Sequence, residues 1–99
     1  MNQNEIEIEP MSEKDIELEI PDGENNILFL MYSQLPITYS YSLFTDKKVL
    51  KNGTTYPHMS LPFLIQYKNK FNGSMVNLHI KNLDKNIKSK FSVLFSFFK

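Results

Sequence analysis

The sequence contains neither cysteine nor arginine. Without cysteine the chain has no disulfide, no thiolate metal ligand and no thiol nucleophile, and this absence fits a reducing compartment. All eleven basic residues are lysines, hydrated point charges that cannot make the bidentate contacts of arginine with phosphate or guanine. These absences argue against a disulfide-stabilised scaffold and against a protein that reads nucleic-acid sequence.

Long hydrophobic runs are also missing. The longest apolar stretches, residues 27–32 and 91–98, are far shorter than the about 20 residues that a transmembrane helix needs. The first ten residues are acidic and lack the apolar region of a secretory signal. The sequence predicts no transmembrane segment and no signal peptide, with the location cytoplasmic or unknown. Contact with a membrane surface stays open.

What the chain does have is a strong segregation of charge. Residues 1–24 carry nine acids and one lysine, whereas residues 25–99 carry ten lysines and two acids. The formal net charge of zero therefore combines −8 (1 − 9) in the first segment with +8 (10 − 2) in the second. All thirteen aromatic residues follow residue 28. This separation of acidic and basic residues along the chain predicts interactions with charged partners.

Hydrophobic residues alternate with polar ones through most of the chain, which is the period of a β-strand. Residues 5–9 and 15–20 place isoleucine or leucine on one face and acids on the other. Strand-like patterns recur at 27–32, 38–44, 49–51, 64–71, 74–81 and 87–98. The predicted fold is all-β: a small antiparallel β-sandwich of about seven or eight short strands. Residues 13–99 form the single domain, and residues 1–12 are either a flexible acidic arm or an edge strand.

Two Asn-Gly pairs, at 52–53 and 72–73, predict hairpin turns because type I′ turns need positive φ at both central residues. In the second hairpin, Ile65 would oppose Ile80 and Gln66 would oppose His79. With residues 87–98 added, this gives a three-stranded meander whose outer face is basic. That face would carry Lys68, Lys70, Lys81, Lys88 and Lys90.

The acidic and basic residues are the candidate partner-binding groups. The acids are Glu5, Glu7, Glu9, Glu17 and Glu19. They would pair with the lysine face within one molecule, or add to the sheet edge of a neighbouring copy. The leading hypothesis is a non-enzymatic module that binds another protein or self-associates. The alternative is a surface-recognition module for anionic lipid or glycan. Nucleic acid is disfavoured, because the aromatics among the lysines are predicted to face the core.

Signals for catalysis or metal binding are weak. His58 and His79 belong to no catalytic motif, so the sequence predicts neither an enzyme nor a cofactor. Asp22, Glu24 and Asn26 alternate as calcium ligands can, although a tight turn explains them as well. We therefore predict no metal site, with these three residues as a weak Ca²⁺ candidate.

Overall fold

The computed structural model describes residues 2–21, 23–24, 26–45, 49–57, 63–66 and 75–99. Over these residues the chain forms eight β-strands and no helix. Their bounds are β1 Asn2–Ile8, β2 Glu13–Glu19, β3 Asn26–Ser33, β4 Tyr39–Phe44, β5 Val49–Thr55, β6 Phe63–Gln66, β7 Met75–Asn82 and β8 Ser89–Phe98.

The strands build two four-stranded antiparallel sheets. The first sheet has the order β1-β8-β3-β6, and the second sheet has the order β2-β7-β4-β5. The chain passes from one sheet to the other at every connection except that between β4 and β5, which pair directly. Two four-stranded sheets with these orders form a jelly-roll sandwich. The predicted small antiparallel β-sandwich is confirmed.

The core lies between the sheets and is built by the period-2 alternation of the sequence. In β7 the burial alternates at every residue, and in β4 likewise. The inward side chains come from both sheets and include Leu18, Ile27, Phe29, Met31, Tyr39, Leu43, Val76, Leu78, Ile80, Phe91 and Val93. In β8, Phe91, Val93 and Phe95 are buried in this core, and the partly buried Phe97 packs against it.

The N-terminal residues form an edge strand in each sheet. β1 pairs with β8 over seven residues, and β2 pairs with β7 over seven. Between the two strands, the amide of Ser12 donates to the carbonyl of Glu9, and Met11 takes a left-handed φ of 56°. Pro10 and Met11 thus hold the central positions of a tight turn, which carries the chain from one sheet to the other.

The hairpin predicted between residues 64–71 and 74–81 is wrong for the strand residues that the structure describes. β6 pairs with β3, so Ile65 opposes Ile27 rather than Ile80. β7 lies in the other sheet, between β2 and β4. Alternation determines which face a residue occupies but not which strand lies beside it. The Asn72-Gly73 pair lies outside the described residues.

The turn predicted at Asn52-Gly53 is also wrong, because both residues lie within β5. Gly53 opposes Tyr41 across the β4–β5 pair. A Cβ built on Gly53 would lie 3.0 Å from the phenolic oxygen of Tyr41. The glycine provides room for this aromatic ring, which is a recognised reason for glycine inside a strand.

Candidate functional site: the outer faces of the two sheets

The outer face of the second sheet is a polar surface to which all four of its strands contribute. Its first row across the sheet runs Glu13, Lys81, Ser40 and Thr54, and its second row runs Asp15, His79, Ser42 and Asn52. Neighbouring strands lie about 4.8 Å apart, so each row spans roughly 14 Å. The hydroxyls, amides and carboxylates of this surface can donate and accept hydrogen bonds over that distance.

His79 lies between two carboxylates of the adjacent strand. Its Nδ1 is 2.7 Å from Asp15 Oδ1, and its Nε2 is 3.7 Å from Glu13 Oε2. The contact with Asp15 is a direct cross-strand pair in the β2–β7 register. Two of the four acids on β2 therefore contact a side chain of the neighbouring strand β7.

A third row combines a carboxylate, an amide and an aromatic ring. Glu17 opposes Asn77, Asn77 opposes Phe44, and Phe44 opposes Val49. Glu17 and Val49 are exposed, while Asn77 and Phe44 are half-buried. Within the described residues, no ion pair or hydrogen bond engages the Glu17 carboxylate. Free polar groups thus lie beside an aromatic ring on one accessible surface.

The outer face of the first sheet has a different character. Toward the C-terminal end of β8 it is apolar, with Leu28, Leu64 and Phe98 respectively 43%, 60% and 40% exposed. Leu94 and Leu30 lie opposite each other beside them and are half-buried. Leu94 and Phe98 alternate with the core residues Val93 and Phe95 of β8 and point away from the core. The second sheet does not cover them.

The other end of this face carries ionic contacts within the chain. Lys88 Nζ lies 3.2 Å from Glu7 Oε1 and 4.0 Å from Glu9 Oε1. The hydrogen bond with Glu7, and then the negative charges of Glu7 and Glu9, raise the pKa of Lys88. Glu7 and Glu9 thus contact a lysine of their own chain, while addition of the acidic strand to a neighbouring copy stays a prediction. Such exposed pairs contribute little to stability.

The predicted basic face is not formed by the described lysines. Lys81 lies on β7 in the second sheet, whereas Lys90 lies on β8 in the first sheet and Lys88 directly precedes that strand. Since the two sheets have opposite outer faces, these side chains cannot share one surface. Lys68 and Lys70 lie outside the described residues. A role of these lysines in partner binding stays a prediction.

The calcium candidate is only partly described, because Asp22 lies outside the described residues. Glu24 donates its amide to the carbonyl of Pro21 at 3.3 Å, and Gly23 has a φ of 80°. This is the geometry of a tight turn that needs a left-handed residue at its third position. Among the described residues, no group of three histidines or acids is arranged to hold a metal ion. His58 is also outside the described part of the chain.

Most residues of the polar surface were not predicted from the sequence, among them Ser40, Ser42, Phe44, Asn52, Thr54 and Asn77. A signal was present in β4, where serines alternate with tyrosines and so must point away from the core. Asn52 was obscured because it was assigned to a turn. The surface is assembled from strands far apart in sequence, and alternation alone cannot bring them together.

Comparison with known proteins gives a fold but no family. No protein-family model matches the sequence, and no curated protein matches it. The structure is similar to that of the Yersinia pseudotuberculosis-derived mitogen, with a TM-score of 0.62, 13% identity and coverage of 99% of this chain and 85% of the mitogen. It is also similar to TmCBM61, solved in complex with β-1,4-galactotriose, with a TM-score of 0.57, 11% identity and coverage of 96% and 68%. At these identities the likeness establishes the β-sandwich fold alone.

No helix in the described part of the chain is long and apolar enough to cross a membrane.

Proposed function

We propose that this protein is a non-enzymatic binding module whose ligand is a glycan, held on the outer face of the second sheet. The observation that carries the proposal is the row in which Glu17, Asn77 and Phe44 lie side by side on three adjacent strands. Sugars present hydroxyl groups around the ring and an apolar C–H face. A surface that combines polar side chains with an aromatic ring matches both.

The polarity of the surrounding rows supports the same ligand class. Ser42 and Asn52 lie opposite each other in the second row, and Ser40 and Thr54 in the first. Tyr56, which is 61% exposed, directly follows β5 and lies two residues beyond Thr54 of the first row. The sheet thus offers many short polar groups and exposed aromatic area, as an extended oligosaccharide requires.

The structural comparison supports this proposal without establishing it. TmCBM61 shares the fold and was solved with a bound oligosaccharide, so the fold is compatible with glycan binding. The sharing of a fold does not transfer a function. Glycan binding is therefore proposed from the side chains of this chain's own second sheet.

The test is a calorimetric titration of the full chain with β-1,4-galactotriose and a β-1,4-linked glucose trisaccharide. Asn52→Ala and Tyr56→Ala change exposed residues and should leave the fold intact. We expect each to weaken binding about tenfold, because a lost hydrogen bond or stacking contact is worth roughly one to two kcal/mol. Gln3→Ala on the first sheet is the matched control and should bind like the parent protein.

Two results would contradict the proposal. One is the absence of heat and of chemical-shift changes with every oligosaccharide at millimolar concentration. The other is binding that Gln3→Ala weakens as much as Asn52→Ala does, which would locate the ligand on the first sheet.

Protein binding, with self-association as its leading form, is the second candidate. It is favoured by the exposed apolar side chains of Leu28, Leu64 and Phe98 on one face, since such clusters commonly mark interaction surfaces. Leu64→Lys would introduce a charge into that contact. If the protein self-associates through this face, light scattering will show oligomers for the parent chain and monomers for Leu64→Lys.

Anionic lipid is less well supported than either candidate. A lipid surface requires several cations on one face, and the described lysines Lys81 and Lys90 lie on opposite sides of the sandwich. Vesicles containing phosphatidylserine provide the direct check. If the protein sediments with these vesicles at low salt but not at high salt, binding to anionic lipid is supported.

A further inference from the structure

We infer that the polar face of the second sheet selects uncharged glycans over sulfated or carboxylated ones, and that Glu17 is the residue that sets this selectivity. The inference rests on the proposed function, because it specifies which class of glycan that same surface accepts. It is carried by the distribution of charge over the three rows of the face.

The negative charge of the face lies along one side. Glu13, Asp15, Glu17 and Glu19 alternate outward along β2 and are all exposed. His79 contacts Asp15 at 2.7 Å and Glu13 at 3.7 Å, so these two carboxylates are turned toward β7. Glu17 and Glu19 have no such partner among the described residues. The free negative charge is therefore concentrated beside Asn77 and Phe44.

The positive charges near this face are placed elsewhere. Lys81 opposes Glu13 in the first row, two rows away from Glu17 along β7. Lys51 on β5 opposes Leu43 and therefore belongs to none of the three rows of the polar face. Among the described residues, no cation lies in the row of Glu17 to attract an anion there.

The consequence for ligands follows from elementary electrostatics. A sugar hydroxyl can donate a hydrogen bond to the Glu17 carboxylate, and bonds to a charged acceptor are the stronger kind. A sulfate or carboxylate in the same position has no proton to donate and meets a like charge, which is a strong basis for discrimination. The Glu17 carboxylate thus favours a neutral ligand in two ways: it accepts a hydrogen bond from a sugar hydroxyl, and it repels a sulfate or carboxylate.

The experiment compares a neutral oligosaccharide with its own sulfated derivative. β-1,4-Galactotriose, the β-1,4-linked glucose trisaccharide and their sulfated forms are titrated into the full chain at low and at high salt. We expect the parent protein to bind the neutral form at least about tenfold more tightly at low salt, with the difference shrinking at high salt as repulsion is screened.

The decisive variant is Glu17→Gln, which keeps the size of the side chain and removes its charge. We expect it to reduce the preference for the neutral form by about tenfold, because an amide does not repel an anion. Glu5→Gln is the matched control: Glu5 is an exposed acid on the outer face of the first sheet, and its change should leave the preference unaltered. Circular dichroism of both variants establishes that they are folded.

The outcomes separate the two proposals. If no neutral or sulfated trisaccharide binds, the proposed function fails, and this inference fails with it. If the neutral form binds but the sulfated form binds equally well, or if Glu17→Gln changes the preference no more than Glu5→Gln, glycan binding stands and the charge selectivity attributed to Glu17 is wrong.

Discussion

The ring of Tyr41 packs across the β4–β5 pair onto the bare backbone of Gly53. A Cβ on Gly53 would lie 3.0 Å from the phenolic oxygen and 3.3 Å from two ring carbons of Tyr41. Tyr41 is only 6% exposed, so its ring has little room to move away. Glycine normally weakens a strand. The presence of glycine at position 53 is explained by the ring of Tyr41, which lies where a larger side chain would begin.

This contact predicts that Gly53→Ala destabilises the protein by about 1 kcal/mol, as mild overpacking does. The reason is steric, since Gly53 does not have the positive φ found at Gly23. Tyr41→Phe removes the atom at 3.0 Å, so the cost of Gly53→Ala should be smaller in that background. Urea denaturation of both single variants and the double variant measures this coupling. Equal costs in both backgrounds would show that the phenolic oxygen is irrelevant.

The fold class and the inward faces could be predicted from sequence because both follow from alternation. Ile16, Leu18 and Ile20 point to one side only in a strand, and the structure places them there. The pairing of strands could not be predicted in the same way. In a jelly roll nearly every strand pairs with one distant in sequence, so local turn signals such as that at Asn52 are poor guides to topology.

The candidate site was predicted only in part, for the same reason. The acids of β2 were recognised as an outward row, but the histidine that engages two of them lies more than sixty residues away. The predicted lysine face was wrong because Lys81 and Lys88, which are close in sequence, were assigned to one sheet, whereas the chain crosses to the other sheet between them. The serines of β4 form an alternating pattern in the sequence. Only the strand pairing shows that they lie on the same surface as Asn52 and Asn77.

Asn82 offers a stability prediction from a buried polar group. Its Nδ2 donates to the carbonyls of Ile8 and Ile87 at 3.1 and 2.8 Å, and its Oδ1 accepts from the amide of Asp84 at 2.9 Å. The side chain is fully buried, so Asn82→Ala leaves three backbone groups unpaired. We expect a loss of about 2–4 kcal/mol in the free energy of unfolding.

The matched control for Asn82 is Asn52→Ala, which truncates an exposed asparagine and should cost less than about 0.5 kcal/mol. Chemical denaturation gives both values. If Asn82→Ala costs no more than this control, the hydrogen bonds at the end of the sandwich are not important for stability.

Two buried hydroxyls predict a different result. Tyr39 Oη and Thr55 Oγ1 are buried, and neither finds a well-formed hydrogen bond within the described residues. Tyr39→Phe keeps the edge-to-face contact with Phe91, whose ring centroid is 4.9 Å away. Because an unsatisfied hydroxyl contributes little, this variant should stay within about 1 kcal/mol of the parent at neutral pH, and it can be more stable.

The same tyrosine should make the protein sensitive to alkali. Burial raises the pKa of Tyr39 from 10.0; the Thr55 hydroxyl partly offsets the rise, and Tyr41 adds to it. Burial also raises the pKa of Tyr41. The folded state thus retains these protons longer than the unfolded state. Their contribution to stability is complete below pH 10 and is lost as the pH rises through the raised folded values.

Denaturation as a function of pH tests this linkage. The free energy of unfolding should fall above pH 10, and Tyr39→Phe should make that fall shallower. Tyr56→Phe, at an exposed tyrosine, is the control and should leave the slope as it is in the parent. An alkaline slope that Tyr39→Phe does not change would mean that other groups cause it.

Removal of residues 1–12 tests whether the acidic N-terminus is a structural strand or a separable arm. β1 pairs with β8 along its whole length, and Ile8 is fully buried in the core. Deletion would expose the β8 backbone and remove the side chain of Ile8, which alone contributes about 2–3 kcal/mol. We therefore expect a clearly lower melting temperature and, since β8 becomes an open edge, an increase in aggregation rather than a decrease.

A milder change separates charge from structure at the same strand. Glu5→Gln with Glu7→Gln removes two negative charges from β1 but keeps Ile8 and every backbone hydrogen bond. Light scattering at low and high salt should give the same oligomeric state for this variant and the parent, because Glu7 is already paired with Lys88 at 3.2 Å within the chain. If the parent protein forms an oligomer that dissociates both in high salt and in the double variant, the acidic strand mediates self-association.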